Sequence, residues 1–488
     1  MRRNALIIAC TLVILSGCAG FRSEVWMPAQ LPLPSVTERL ETPGFWIDRS
    51  GDLDTLLMTV SEIEEFNRRA LGLEVYLNDV FSLSEVKSAE DVLGMITPLC
   101  EWAENGGFIG HDNFPLTPEF FADIKGLMAL DELPGTVTVA WGMTVRETDV
   151  RVLPTKELAL EEINDYQFDY FQMSRLSWGT PVAVIWTTVD GSWSYIVSPY
   201  VSGWVKSDDI GIARNRDVVM DHLAADPFLV VTGPVIPVYG GDESLTRREN
   251  DAGAYLGGLR LGSRVPLAAE TESAWKVRVP VRDKAGFLEF VTGFIEKDVS
   301  VNRGYLPYTR RNVITTAFSM LDERYGWGGM WGYWDCSAFV RDVFSVFGFV
   351  LPRNSTSQSK VGTILGAFDT DTRISDKYAV LDTAPPGATI LRLPGHVMIY
   401  LGTYDDNYYV IHDIWAYRTS DALGRKYLVG IGRVAVSELT LGEGGARGSL
   451  IERITHVVLM TLPESGTDPV SRLLPMNMVS PKIVRMPY

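Results

Sequence analysis

The chain has 488 residues, 46% hydrophobic and 22% charged, with 44 glycines and 26 prolines. At roughly 150 residues per domain that is about three domains, and the composition excludes a disordered or collagen-like protein. The net charge is −17, which argues against nucleic acid as a partner and against a broad electrostatic grip on anionic lipid.

The chain opens on Arg2 and Arg3, then an apolar run from Ala5 to Leu15 that is too short to span a bilayer. Leu15-Ser16-Gly17-Cys18 follows, small residues leading into a cysteine. The segment resembles a bacterial lipoprotein signal, which implies removal of residues 1–17 and lipid on Cys18. Ala19 is not the acidic residue associated with inner-membrane retention, so the implied location is periplasmic, anchored to the outer membrane. A plain secretory signal with a chance cysteine gives the same pattern. No later segment is apolar for long enough to span a bilayer, leaving lipid on Cys18 as the expected membrane contact.

Residues 18–45 are Pro-rich and aperiodic and are expected as an extended arm. Residues 46–130 are expected as a helical N-terminal domain. Leu53, Leu56, Leu57, Val60 and Ile63 recur at helical spacing, and a second helix is expected over 118–130 behind Thr117 as N-cap. From about Pro134 short β runs and turn signals take over. Strands are expected from Gly179 to Trp186, from Trp193 to Val197 and at Gly203-Trp204-Val205. A related series follows about 80–90 residues later, with Val265-Pro266-Leu267, then Val277-Arg278-Val279, then Gly293-Phe294-Ile295. The two series resemble paired bacterial SH3-like barrels, over 131–220 and 221–303. Two unrelated β modules are the alternative.

Beyond Gly304 the order becomes α then β. A helix is expected over 312–324 and a second from Cys336. Strands are expected at 389–391, 397–401, 408–411 and 456–461, and residues 463–488 form a Pro-rich tail. This is an α+β domain over 304–462, helices packed on an antiparallel sheet. The expected fold is therefore multidomain, with two small β-barrels and a helical segment ahead of it.

Of four cysteines, Cys100 sits among Pro98, Leu99 and Trp102 and reads as a buried apolar residue; a disulfide with Cys336 is the alternative. Asp335-Cys336-Ser337 opens an amphipathic helix with Phe339, Val340, Val343, Phe344 and Phe347 on one side. With Asp335 as N-cap, Cys336 lies in the first turn, where the helix dipole favours thiolate. Two of the five histidines flank a hairpin that turns within 403–407. In register, His396 and His412 share a face, directly opposed or one diagonal apart. His396 is then a base for Cys336, and His412 orients its imidazole. No His-Glu-x-x-His or clustered cysteine ligands occur, so neither a metal nor a cofactor is expected.

The string Tyr325-Gly326-Trp327-Gly328-Gly329, then Asp335-Cys336-Ser337, then Leu351-Pro352-Arg353-Asn354-Ser355 with Gln358, resembles the NlpC family of cell-wall cysteine peptidases. Gly395-His396-Val397 and His412 complete the likeness. The resemblance implies a papain-like fold and hydrolysis of the γ-D-glutamyl–meso-diaminopimelate bond of peptidoglycan stem peptides. It assigns Cys336 as nucleophile, His396 as base and His412 as third member. Tyr325 matches a tyrosine that hydrogen-bonds at the centre. Asp335, Ser337 and Ser355 match positions that hold the peptide, including a free L-alanine amine. A first barrel closing the far end of the cleft would restrict the enzyme to short peptides. Ala338 and Asn354 depart from the usual Gly and Asp or Thr. Two other readings use the same residues: a non-catalytic envelope-binding lipoprotein, and another Cys-His amidase or acyltransferase. The sequence carries no sign of oligomeric state.

Overall fold

A computed structural model describes residues 24–49, 51–73, 75–241 and 255–463. The leader, Cys18 and residues 464–488 of the tail lie outside the described residues. Among the described residues no helix is long and apolar enough to cross a membrane.

Three seven-stranded sheets organise the chain. The first barrel has strands Ala140–Thr144, Thr148–Arg151, Gln172–Leu176, Pro181–Thr187, Trp193–Val197, Ser202–Lys206 and Ile210–Ile212. Side by side they run seventh, first, fourth, fifth, sixth, second, third. The second barrel has Phe228–Val231, Val235–Tyr239, Tyr255–Arg260, Arg264–Glu270, Ala274–Arg282, Leu288–Glu296 and Val301–Arg303. Its strands follow the same order, read from the opposite edge. Two barrels of equal strand count and identical pairing order support the repeat that the sequence showed faintly.

The third sheet belongs to the α+β domain. Its antiparallel run joins Thr389–Leu393, His396–Tyr404, Asn407–Ser420 and Lys426–Glu438, and Val25–Pro28 adds in parallel at the edge. The strand Lys426–Glu438 is absent from the expected set. The arm is thus not free: Val25–Pro28 pairs with 427–430, and Leu33, Val36 and Leu40 are buried in the core of the α+β domain.

The expected 46–130 domain is divided between two cores. Phe45, Trp46, Ile63 and Phe66 pack in the core of the α+β domain, whereas Val92, Ile96, Cys100, Phe121 and Met128 join the first barrel. Helical periodicity reports that one face is buried, but not against what. The helix expected to include Leu53 starts only at Val60, because Thr59 and Glu62 form a reciprocal capping box there. Pro118–Met128 starts behind Thr117 as expected, and the 312–324 helix is observed as Arg310–Ser319, capped by Thr309.

Candidate active site

The helix Cys336–Ser345 starts at Cys336 because the Asp335 side chain accepts from the Ala338 N–H at 2.9 Å. Its apolar face packs on the strands of His396 and His412, with Phe339, Val340, Val343 and Phe344 fully buried. This docking sets the sulfur against the first residues of the His396 strand. The Cys336 thiol lies 3.9 Å from the Gly395 carbonyl oxygen, to which it donates, and the Val397 N–H donates to the sulfur.

Asp405 and Asp406, both at positive φ, make a two-residue turn. Ile399 pairs with Ile411; continued along the ladder, that register sets His396 diagonal to His412, on one face. The His396 Nε2 and His412 Nδ1 are 2.7 Å apart, and the His412 Nε2 is 3.0 Å from the Ser437 Oγ. In the tautomer with protons on both Nε2 atoms, His396 donates to His412 and His412 to Ser437. The Nδ1 of His396 then carries a free lone pair. Ser437 lies on the strand missing from the expected set, and with it the anchor of the relay.

The thiol differs from expectation. Burial pushes the Cys336 pKa up, and the Asp335 carboxylate adds to the rise. Loss of water outweighs the helix-start field, so the resting centre holds a neutral thiol. Burial also lowers His396 to about 3, assisted by the Arg453 charge, and holds His412 well below its ordinary value. Both imidazoles are neutral at rest.

Asp335, expected to meet the substrate amine, is bonded extensively within the protein. Its Oδ1 accepts from Ser337, Ala338 and Arg353 (3.0, 2.9 and 3.0 Å), and its Oδ2 from Arg353 at 2.6 Å and the Gly328 N–H at 3.1 Å. Burial alone would raise its pKa, but the Arg353 charge and these bonds bring it below the ordinary value. A carboxylate with five donors on two oxygens has little capacity left for an ammonium group. Ser337 is likewise engaged, accepting from Arg353 at 2.9 Å. Ser355 is buried at the head of the short helix Ser355–Gln358, which Asn354 caps; the unusual asparagine thus has a local role. Tyr325 is half-buried, its ring 6.1 Å from Trp415, and its N–H donates to the Gly432 carbonyl.

Both barrels grip the loop that precedes Asp335. The Gln172 amide donates to the Gly328 carbonyl at 3.1 Å, the Trp327 indole N–H donates to the Asp169 carbonyl at 3.0 Å, and Arg353 Nε donates to Ser174 Oγ at 2.7 Å. From the second barrel, Arg260 donates to the Gly332 and Tyr333 carbonyls at 2.6 and 3.4 Å and stacks on Trp334. Arg353 stood inside the sequence motif without a role; a buried carboxylate's need for a cation could have assigned it one.

The remaining histidines are accounted for elsewhere: His111 pairs with Glu157, His222 stacks on Phe290, and His456 meets Thr455. Cys100 is buried beside Met128, with its pKa pushed up to about 12. Both described cysteines are free. Among the described residues no group of His, Cys, Asp or Glu could hold a metal ion.

Comparison with known proteins agrees with this architecture. Residues 159–206 match a model of the SH3 domain (SH3b1 type), and residues 322–417 match the NlpC/P60 family model. No curated protein matches. The fold is similar to that of an NlpC/P60 endopeptidase from Photobacterium damselae subsp. piscicida, with a TM-score of 0.70 at 19% identity, covering 90% of this chain and 99% of that one. An NlpC/P60 family protein from Bacillus cereus ATCC 10987 also aligns, with a TM-score of 0.42 at 15% identity, covering 66% of this chain and 100% of that one. Cys336, His396 and His412 thus all lie within the stretch that matches the NlpC/P60 family model, behind a stretch of the first barrel that matches an SH3 domain.

Proposed function

We propose that the protein is a cell-wall cysteine peptidase that hydrolyses the γ-D-glutamyl–meso-diaminopimelate bond of stem peptides bearing a free N-terminal L-alanine. We further propose that it works in the periplasm, held to the outer membrane by lipid on Cys18. The observation that carries the chemistry is the chain of contacts from Ser437 through His412 to His396, beside whose backbone the Cys336 sulfur rests.

The mechanism follows from neutral partners. His396 takes the thiol proton as the sulfur attacks the scissile carbonyl, so thiolate and imidazolium form together and offset each other's desolvation. His412 accepts from the Nε2 of His396 throughout and keeps the Nδ1 aimed for transfer. The backbone N–H groups of Cys336 and Ser337, which open the helix and have no intrahelical acceptor, favour the developing oxyanion. His396 then returns the proton to the leaving amine, and water hydrolyses the thioester. The preference for short peptides is supported by the first barrel, which is bonded to Trp327, Gly328 and Arg353 beside the centre.

The test uses L-Ala-γ-D-Glu-meso-diaminopimelate with its amine free or acetylated. The native enzyme is expected to release diaminopimelate from the free form and to be much slower on the blocked one. Cys336→Ala is expected to be inactive on both. Turnover by Cys336→Ala overturns the peptidase reading, and equal native rates on both peptides overturn the amine preference.

A further inference from the structure

The chain enters the described fold at a place that fixes how an anchored enzyme would lie. Val25–Pro28 runs parallel to the strand Lys426–Glu438, with Val25 beside Tyr427. Glu24, the residue before Val25, therefore lies at the tip end of the hairpin between Ser420 and Lys426. Glu24 is fastened there by Arg418, at 2.8 Å. From Cys18 to Glu24 there are only six residue steps, a reach of about 20 Å at full extension.

That same end of the sheet is apolar and open. Leu423 at the hairpin tip is 78% exposed, and Val25 and Trp26 on the edge strand are 52% and 59% exposed. The Trp26 ring is laid over Gly430, where a Cβ would lie 3.1 Å from its Nε1, so the indole is presented as a fixed plate. Lys426 is exposed near the tip, as is Arg425, which is paired with Asp421 at 2.6 Å. Indole, aliphatic and basic side chains together suit the boundary between lipid headgroups and acyl chains.

Resting on the reading of Cys18 as the lipidated residue, we propose that residues 24–28 and the 420–426 hairpin tip form the lipid-facing surface of this enzyme. Trp26 and Leu423 then enter the headgroup layer. His412 lies eight residues from Ser420 on the same strand, at most about 26 Å along it. The anchored enzyme would act at a fixed, short stand-off, on peptides that reach the membrane face rather than on distant wall.

The experiment uses the full chain, purified with its lipid, in vesicles of phosphatidylethanolamine and phosphatidylglycerol. An environment-sensitive fluorophore is placed on Leu423→Cys, or on Phe114→Cys as a comparison site on the first-barrel side, each in a Cys336→Ala background. A blue shift with brightening at 423, quenched by lipid-borne quencher, and none at 114 is the expected result. Equal responses at both positions overturn the docking surface. Mass spectrometry that finds Cys18 unmodified overturns the anchor reading instead. Trp26→Asp with Leu423→Asp, in the otherwise native chain, is expected to abolish contact of a label placed on Thr419→Cys while leaving hydrolysis of soluble peptide unchanged. Persistence of that contact also counts against the surface.

Discussion

The two barrels share a strand order yet serve the catalytic centre differently. Each uses its third strand, Gln172–Leu176 in one and Tyr255–Arg260 in the other, to hold the loop between Trp327 and Trp334. The first barrel meets the loop where it turns back on itself and also reaches Arg353, the ion-pair partner of the carboxylate that caps the Cys336 helix. The second barrel supplies one buried arginine that binds two carbonyls and no acid of the centre. The two barrels thus share a backbone layout, while one is connected to the support of the Cys336 helix and the other to its approach. The difference lies in side chains, not topology.

The sharpest way to break this view is to cut each connection. Arg353→Leu leaves the Asp335 carboxylate buried without its cation, which costs about 3–5 kcal/mol. The urea midpoint should fall accordingly, and peptidase activity with it, because the same carboxylate starts the Cys336 helix. Arg260→Leu removes two charge-assisted bonds to carbonyls and also removes a buried charge, so the loss should be smaller, about 1–3 kcal/mol. Equal losses of stability and activity from the two substitutions would show that the barrels are equivalent supports.

A glycine pair gives the next contrast. Gly328 has φ 58 and faces the first barrel, where a Cβ would lie 2.7 Å from the Gln172 carbonyl oxygen. Gly332 has φ 80, but the nearest atom to its Cβ would be a Glu147 carboxylate oxygen at 3.8 Å. Both alanine variants bear the left-handed strain of about 1–2 kcal/mol, and only Gly328→Ala adds overpacking of about 1–3 kcal/mol. Thermal unfolding of the two variants separates the terms; a Gly332→Ala loss as large as that of Gly328→Ala would mean that the docked face is not rigid.

Much of this was legible because it rests on local chemistry. Asp335 before an apolar helical stripe locates the start of the Cys336 helix, and two histidines around a tight turn must share a face if the register is even. What escaped depended on partners far along the chain. Ser437 stands on a strand whose pattern is interrupted by Gly430 and Gly432, and its bond to His412 follows only once that strand is paired. The helices of residues 46–130 show an apolar face without showing that one group is buried in the catalytic core and the other in the first barrel. The thiol was misjudged for a related reason: a helix start is written in the sequence, but the degree of dehydration around it is not. The bonding of Asp335 was hidden in the same way, because its five donors come from three separate stretches, at Gly328, Ser337-Ala338 and Arg353.

The smallest predicted effect tests whether the first barrel contributes support or position. Ser174→Ala removes the one acceptor on that barrel for Arg353 Nε, while both Arg353–Asp335 bonds remain. Stability should fall by only about 1 kcal/mol, since the ion pair keeps the guanidinium neutralised. If the barrel merely buttresses the domain, kcat and KM should both stay near native values. If it sets the inclination of Arg353, and through Asp335 the first turn of the Cys336 helix, kcat should drop while KM for the free-amine peptide holds. Ser174→Thr, which restores the hydroxyl, should then recover the rate; failure of that rescue would move the first barrel's role from the nucleophile to the cleft wall alone.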